Sequence, residues 1–253
     1  MRIETRGLSF AYNGAKALSG VNMEVSGGQL VGLVGPNGSG KSTLLKCMDR
    51  LLVPGEGKVL LDGVDISEMS RRQVARRMGY VPQSTSALFP KTVMETVLMG
   101  RIPHGTWAPR SRDREIASGV LDRFGLRNIS SRDIRSLSGG QSQKVIIARA
   151  AAQEPDVYLL DEPTSSLDLA NQIDVMELVK EEVKRGALVI MAVHDLNLAL
   201  RYCDHFVMLK GGKVVMGGDS DSLSREVLEE VYDIRAKVLG KGKNRVLVPL
   251  SRR

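Results

Sequence analysis

The feature that most constrains this chain is a single stretch, Leu30 to Thr43, which reads LVGLVGPNGSGKST. It opens with an apolar run, Leu30–Val34, which is short enough and apolar enough to predict a strand buried on both faces. The next eight residues match G-x-x-x-x-G-K-[ST], the pattern of a phosphate-binding loop, and an apolar helix start follows at Thr43. Strand, glycine-rich loop and helix in this order predict an α/β protein that binds phosphate.

The residue types in this loop suit a polyphosphate and its cation. Glycine tolerates positive φ and has no Cβ, so the loop's N–H groups can curl around an anion at the positive end of a helix. Lys41 adds a mobile charge for the β and γ phosphates, and Ser42 offers a hydroxyl oxygen to Mg²⁺. The nucleotide contacts predicted in this loop are Gly35, Pro36, Asn37, Gly38, Ser39, Gly40, Lys41, Ser42 and Thr43.

The chain's length and apolar content allow one large core and exclude a membrane-spanning protein. It has 253 residues, of which 42% are hydrophobic, but its longest apolar run, Ala187 to Val193, is far below the roughly 18 residues of a transmembrane helix. The N-terminal segment MRIETRGLSF does not resemble a signal peptide. Cys47 and Cys203 are isolated, which argues against a disulfide framework or a metal knuckle and favours a reducing cytoplasm.

The net charge of +7 and the pI of about 9.5 are compatible with nucleic acid, an anionic membrane surface or a phosphate ligand. Ordinary solvated Lys and Arg, as in RRQVARR and LSRR, are the alternative explanation. Aromatic residues make up only 4% of the chain, which argues against base stacking. We therefore expect no nucleic-acid partner.

Hydrophobic periodicity divides the chain into an α/β part and an inserted helical part. Strand-like segments with turns at Asn13-Gly14 and Gly27-Gly28 lead into the phosphate loop, and residues 223–239 are predicted to be helical. We predict one domain over 1–253: a mostly parallel P-loop (RecA-like) sheet in residues 1–84 and 153–225, an N-terminal antiparallel β subdomain, a helical subdomain over 85–152, and a C-terminal helix and tail over 226–253.

Several apolar strands of the predicted sheet end in polar residues. The segments 30–34, 157–160 and 187–193 all do so, as does the short strand before Gln83. In an open parallel sheet, ligands bind in the crevice at the carboxyl ends of the strands. We therefore expect convergence on one site of Lys41, Gln83, Asp161, Glu162 and His194.

Asp161 and Glu162 follow four apolar residues directly. Burying carboxylates costs several kcal/mol per ion unless they are compensated, and Mg²⁺ would compensate them. Asp161 would then hold the ion, and Glu162 would orient or deprotonate the attacking water. The alternative is a strand that surfaces into a turn, with both acids solvated.

The segment LSGGQ, residues 137–141, precedes a helix predicted over 142–153. Ser138, Gly139 and Gly140 would place N–H donors at the helix N-terminus and form a second anion site, although a simple helix cap is the alternative. One nucleotide does not need two phosphate-binding segments that lie so far apart in one chain. A dimer resolves this, with each nucleotide between the phosphate loop of one chain and the LSGGQ of the other.

The set GPNGSGKS, Gln83, LSGGQ, LLDEP, SSLD and His194, in this order, resembles the ATP-binding subunit of an ABC transporter, and the likeness covers nearly the whole chain. Lys144 stands where relatives often carry arginine. The resemblance implies an ATPase with ATP and Mg²⁺ as cofactors, a homodimer at the cytoplasmic face of the cell membrane, integral membrane permease subunits, and an extracytoplasmic substrate-binding protein in the full system.

The resemblance also implies a role for each motif. The implied catalytic residues are Glu162, His194, Lys41 and Gln83, and the implied magnesium ligands are Ser42, Gln83 and Asp161. Tyr12 would stack on adenine, although a plain half-buried strand aromatic is the alternative. The residues implied to reach the nucleotide or the interface from the second chain are Ser138, Gly139, Gly140, Gln141 and Asp168. His104 and His205 are predicted to be structural.

The segment Thr92 to His104, together with Asp113, resembles importers of iron-siderophore complexes, haem and cobalamin. Phe89 and Trp107 in this region are expected either to contact the permease or to pack in the core. An importer of another substrate and a non-transport ABC ATPase remain as alternatives. A nucleotide-binding switch or kinase is a third, in which LSGGQ would have no function.

Overall fold

The computed structural model describes residues 1–83, 90–105, 109–219, 222–240 and 242–252. Phe89 and Trp107, predicted to contact either a permease or the core, lie outside the described residues. Within these ranges, no helix combines the length and the apolarity that a bilayer crossing requires.

A six-stranded sheet forms the centre of the protein, with strand order β10-β9-β3-β8-β7-β6. Five strands are parallel neighbours, and only β10 at the edge runs antiparallel. The mostly parallel α/β core predicted from the sequence is confirmed. Its strands are β3 (Leu30–Val34), β6 (Met78–Val81), β7 (Val157–Asp161), β8 (Leu188–Ala192), β9 (His205–Lys210) and β10 (Lys213–Asp219).

Both faces of this sheet are buried, which explains the unbroken apolar runs in the sequence. Every residue of β3, β7 and β8 is buried. Alternate residues belong to two different clusters, so that Leu160 and Met191 pack on one face while Leu159 and Ile190 pack on the other. Polar residues are therefore confined to the strand ends.

A second, antiparallel sheet covers one face of the central sheet, in the order β2-β1-β4-β5. It confirms the predicted N-terminal β subdomain and the turn at Asn13-Gly14, where Asn13 has φ 46°. Its strands are β1 (Arg2–Tyr12), β2 (Ala15–Ser26), β4 (Glu56–Leu61) and β5 (Val64–Asp65).

The helices flank the central sheet, and three of them lie between β6 and β7, within the predicted helical insertion. Val97 of α3, Leu121 of α4 and Ile147 of α5 share one buried cluster with one face of the sheet. The helices are α1 (Lys41–Met48), α2 (Arg71–Arg77), α3 (Val93–Leu98), α4 (Ser111–Arg123), α5 (Gly139–Ala152), α6 (Leu169–Lys184), α7 (Leu196–Tyr202) and α8 (Arg225–Tyr232).

The prediction of a helix over residues 223–239 is wrong for its second half. α8 ends at Tyr232, because Asp233 adopts the left-handed conformation with φ 54°. The C-terminal tail forms regular structure of its own, because β11 (Ile234–Leu239) pairs with β12 (Val246–Arg252) as an antiparallel hairpin. The sequence IRAKVL alternates apolar and polar residues, which is the period of a strand.

Two smaller differences concern helix ends. The predicted helix start at Thr43 lies two residues after the observed start of α1 at Lys41, and α1 ends at Met48, shortly before Arg50 with φ 56°. The sequence pattern also gave no sign of α7, which begins after Asp195, whose carboxylate accepts hydrogen bonds from the N–H groups of Asn197 and Leu198.

A cluster of three hydrogen-bonded side chains joins the helical insertion to the central sheet. The hydroxyl of Tyr158 on β7 donates to Glu182 Oε2 of α6 at 2.8 Å, and Arg123 of α4 lies 3.2 Å from Glu182 Oε1. Burial and the negative charge of Glu182 raise the pKa of the Tyr158 phenol, so its hydroxyl remains a donor. These bonds satisfy a carboxylate that is itself buried.

We predict that Tyr158→Phe lowers the free energy of unfolding by about 2 kcal/mol, because the Glu182 carboxylate loses a buried donor. Urea unfolding measures this. The control is Tyr12→Phe, whose ring is 45% exposed and whose change should stay within about 0.5 kcal/mol. Equal effects of the two substitutions would contradict the prediction.

Candidate functional site

A groove of about 500 Å³ opens at the carboxyl ends of the parallel strands. It brings together the phosphate loop and four residues that are distant in sequence: Tyr12, Gln83, Glu162 and His194. The full lining is Tyr12, Ala17, Asn37, Gly38, Ser39, Gly40, Lys41, Ser42, Thr43, Gln83, Glu162 and His194. We call it the nucleotide groove, after the loop pattern that lines it.

The loop backbone adopts a conformation that requires glycine at two positions. Gly35 has φ 150°, and a Cβ there would lie 2.1 Å from the carbonyl oxygen of Leu209. Gly40, just before α1, has φ 104°, and its Cβ would lie 2.7 Å from the carbonyl oxygen of Ala17. Because the backbone passes so close to its neighbours, a side chain at either position would displace the loop.

The loop contains two polar side chains, Ser39 and Lys41, that are placed to bind an anionic ligand. Ser39 Oγ is buried and has no hydrogen-bond partner among the described residues. Lys41 is only 5% exposed, and its Nζ donates to the carbonyl oxygens of Gly35 at 2.9 Å and Pro36 at 3.2 Å. Burial lowers the pKa of Lys41, while the carboxylates of Glu162 and Asp161 oppose that shift. A buried ammonium beside a loop of N–H groups suits a phosphate.

Asp161 ends β7 beside the loop and is 3% exposed. Its Oδ1 accepts a hydrogen bond from Ser42 Oγ at 2.7 Å, and its Oδ2 accepts one from Tyr80 Oη at 3.2 Å. Burial, together with the charge of Asp161, raises the pKa of the Tyr80 phenol, which therefore donates. The adjacent oxygens of Ser42 and Asp161 are the hard donors that Mg²⁺ takes alongside phosphate and water.

Glu162 has a backbone conformation that is unusual for a residue with a side chain. Its φ is 48°, its N–H donates to the carbonyl oxygen of Ala192 at 3.2 Å, and its carboxylate accepts a hydrogen bond from Gln83 Nε2 at 2.9 Å. Left-handed backbone costs about 1–3 kcal/mol in such a residue and is often found at functional sites. The turn presents Glu162 and Gln83 together in the groove, which His194 also lines.

The LSGGQ residues do not line the nucleotide groove. Ser138 Oγ accepts from the N–H of Gln141 at 3.3 Å, and the N–H of Ser138 donates to Gln141 Oε1 at 3.3 Å. The helix cap that was the alternative interpretation is therefore present at the start of α5. Ser138 and Gly139 are nevertheless exposed, and a Cβ on Gly139 would meet no described atom within 4 Å.

Asp168 lies beside LSGGQ rather than in the groove. It caps α6, and both of its carboxylate oxygens accept from Asn171 Nδ2, at 2.9 and 3.0 Å. Asn171 in turn lies against Gly140, where an added Cβ would be 2.2 Å from Asn171 Oδ1. The structure thus separates the predicted site residues into the nucleotide groove and a second surface, the signature surface, formed by Ser138, Gly139, Gly140, Gln141 and Asp168.

Sequence reasoning missed Tyr80 and Ala17. Tyr80 contacts Asp161 from the neighbouring strand, and its only signal was a polar hydroxyl in the short strand before Gln83. His104 bonds through Nε2 to the carbonyl oxygen of Gln153 at 2.8 Å, away from the groove. Burial lowers the pKa of His205, which lies on β9.

Comparison with known proteins places this geometry in a family. The family model described as ABC transporter matches residues 18–165. An uncharacterized ABC transporter ATP-binding protein of Methanocaldococcus jannaschii is 41% identical over 252 residues, 99% of either chain. The ferric enterobactin transport ATP-binding protein of Escherichia coli (strain K12) is 35% identical over 257 residues, 99% of this chain and 95% of that one.

A cobalamin import ATP-binding protein of Halobacterium salinarum is 40% identical over 240 residues, 94% of this chain, and the match spans 60% of that protein's length. Among solved structures, the ADP conformation of an ABC transporter cassette superposes with a TM-score of 0.83 at 28% identity, covering 92% of this chain and 98% of that one. A dimeric bacterial ABC transporter cassette gives 0.76 at 30% identity, with 86% and 98% covered. The chain therefore belongs to the ABC transporter family as an importer-type ATP-binding subunit, an ATPase coupled to transport.

Proposed function

We propose that this chain hydrolyses ATP as one half of a head-to-tail homodimer that encloses two MgATP and drives an importer. One observation carries the dimer. The nucleotide groove holds the phosphate loop, Gln83, Glu162 and His194. In contrast, Ser138, Gly139 and Asp168 of the signature surface are exposed and do not line that groove. A second copy, related by a two-fold axis, would cover each groove with a signature surface.

In this proposal the loop residues bind the triphosphate through their N–H groups and Lys41. Tyr12 offers its exposed ring to the adenine at the groove's edge. Ser42 and Asp161, with Gln83 close by, would hold Mg²⁺, which neutralises charge on the phosphates. The adjacent oxygens of Ser42 and Asp161 support this assignment, as does the Ser39 hydroxyl, which has no hydrogen-bond partner among the residues that the structure describes.

Hydrolysis then needs a water placed in line with the γ-phosphate. Glu162 would take a proton from that water as its oxygen attacks phosphorus and the bond to ADP breaks. Gln83, which already bonds to Glu162, would hold the carboxylate toward the water, and His194 would steady the water and the γ-phosphate. Lys41 would stabilise the charge that develops on the phosphoryl oxygens.

The proposed cargo is an iron chelate or cobalamin, as the functions of two relatives suggest. A different cargo is the alternative, since a phosphonates import ATP-binding protein of Alcaligenes faecalis is 41% identical over 241 residues, 91% of this chain and 87% of that one. The subunit would work at the cytoplasmic face of the membrane with permease subunits and an extracytoplasmic binding protein. Cargo-stimulated ATPase activity of the assembled transporter discriminates among these substrates.

A second groove, which we call the outer groove, offers a place for the permease. It lies between α2 and the helical insertion and is lined in part by Leu51, Ile102, Arg71 and Arg149. Leu51 is 57% and Ile102 66% exposed, so apolar surface is available between the arginines. An amphipathic permease segment with acidic residues fits this combination of apolar and positive surface.

We expect Glu162→Gln to keep ATP binding, lose turnover by at least about 100-fold and accumulate an ATP-bound dimer, because an amide cannot accept the water's proton. Phosphate release and light scattering after size-exclusion chromatography measure these. The control is Glu181→Gln, an exposed acid on α6. Turnover near that of the parent would remove Glu162 from its proposed role.

We predict that Gly139→Asp folds and binds ATP as a single chain but no longer dimerises with MgATP. The site is open within one chain, and an acidic residue suits the first turn of α5. In the dimer its charge would face the partner's triphosphate. The measurement is dimer mass in a Glu162→Gln background, with Gly139→Ala as control. A Gly139→Asp dimer that forms as readily as the control would contradict the arrangement.

A further inference from the structure

One side chain, Tyr80, lines the outer groove and bonds to Asp161, which lies beside the phosphate loop. It lies on β6, which runs from Met78 at the outer groove toward Gln83 at the nucleotide groove. Its ring lines the outer groove, and its hydroxyl donates to Asp161 Oδ2 at 3.2 Å. Two hydrogen bonds, from Tyr80 to Asp161 and from Ser42 to Asp161, therefore connect a residue of the outer groove to a residue of the nucleotide groove.

Within the described part of the chain, the Tyr80 hydroxyl is one of two side-chain donors that hold the Asp161 carboxylate. The other is Ser42, which bonds to Asp161 Oδ1 at 2.7 Å. When the Ser42 oxygen faces a cation, that bond competes with the cation, whereas the bond from Tyr80 does not. Outer groups that orient a metal-binding carboxylate commonly change metal affinity by about 10–100-fold when they are removed.

The outer groove is also connected to the nucleotide groove through α1. That helix begins at Lys41 and Ser42, and the residue that caps its other end, Asp49, lines the outer groove with Tyr80. Asp49 and Tyr80 both line the outer groove, so a segment inserted there would contact the end of α1 as well as Tyr80.

We infer that Tyr80 is a positioning residue that fixes Asp161 for Mg²⁺. We also infer that it makes the magnesium site sensitive to the permease segment proposed for the outer groove. This inference rests on the proposed function, because it takes Asp161 as a magnesium ligand. The inference adds to the proposed function a physical connection between the two grooves, which depends on the Tyr80 hydroxyl. Ring packing alone would keep β6 in place but would not hold Asp161.

The first test is Tyr80→Phe, which keeps the ring and removes the hydroxyl. The Mg²⁺ concentration for half-maximal ATP hydrolysis should rise about tenfold, while ATP affinity measured in EDTA stays at the parent's value. The matched control is Tyr158→Phe on the neighbouring strand, which removes a buried hydroxyl that bonds to Glu182 instead. Its magnesium requirement should match the parent's. An unchanged requirement in Tyr80→Phe, or the same shift in both variants, would overturn the inference.

The second test fills the outer groove with a known group. Ile102→Cys, alkylated with a naphthyl maleimide, places a bulky ring there, and the native thiols of Cys47 and Cys203 are buried. Burial also raises the pKa of Cys47 to about 11, which slows its alkylation.

We expect the label to change the magnesium requirement about fivefold in the Tyr80 background and to leave it unchanged when Tyr80→Phe is also present. A label effect of equal size in both backgrounds, or no effect in either, would show that Tyr80 does not connect the grooves. The unlabelled parent separates this outcome from failure of the proposed function. If the parent hydrolyses ATP only with Mg²⁺, the proposed site stands whatever Tyr80 does.

Discussion

Three charged side chains lie together at one edge of the parallel sheet, and the structure depends on partners that neutralise or hydrogen-bond them. Asp161 ends a buried strand, Glu162 follows it, and Lys41 follows the phosphate loop. Asp161 and Lys41 are almost inaccessible to solvent. Charges in such a position cost several kcal/mol each unless partners satisfy them. Ser42, Tyr80 and Gln83 satisfy part of that requirement for the carboxylates, and loop carbonyls do so for the ammonium. A magnesium-bound triphosphate would supply both missing charges at once.

The scaffold around these charges explains the less regular backbone near the groove. The central sheet is packed on both faces, so its strand ends are fixed, and the loops that leave them have little freedom. Gly35 and Gly40 allow the phosphate loop to pass within van der Waals distance of Leu209 and Ala17, and Glu162 accepts a left-handed turn. Rigid packing in the sheet holds the conformational strain at the site.

The sequence allowed the central sheet and the groove to be predicted because their signals are local. Leu30–Val34 forms a strand with the predicted bounds, since a short apolar run between turns leaves little choice. The convergence of Gln83, Glu162 and His194 followed from the rule that ligands bind at the carboxyl ends of parallel strands. Apolar runs, the phosphate-loop pattern and this rule were sufficient for these features.

The remaining features depend on contacts between distant segments. The left-handed Asp233 ends α8 and turns the tail into a hairpin, although leucine and valine spacing in that region also fits a helix. Tyr80 reaches Asp161 across a strand pair, and Asn171 joins Gly140 to Asp168, which no local pattern reveals. These side-chain contacts decide which predicted residues share a surface.

The most direct test of the central claim is calorimetric titration of the folded chain with ATP in the presence of Mg²⁺, beside Lys41→Ala. The account predicts one ATP bound per chain for the parent and greatly weakened binding for Lys41→Ala, whose circular dichroism should match the parent's. Absence of binding heat in the parent, or equal affinity in the two proteins, would contradict the claim that the charges at the strand ends are arranged around a magnesium-bound triphosphate.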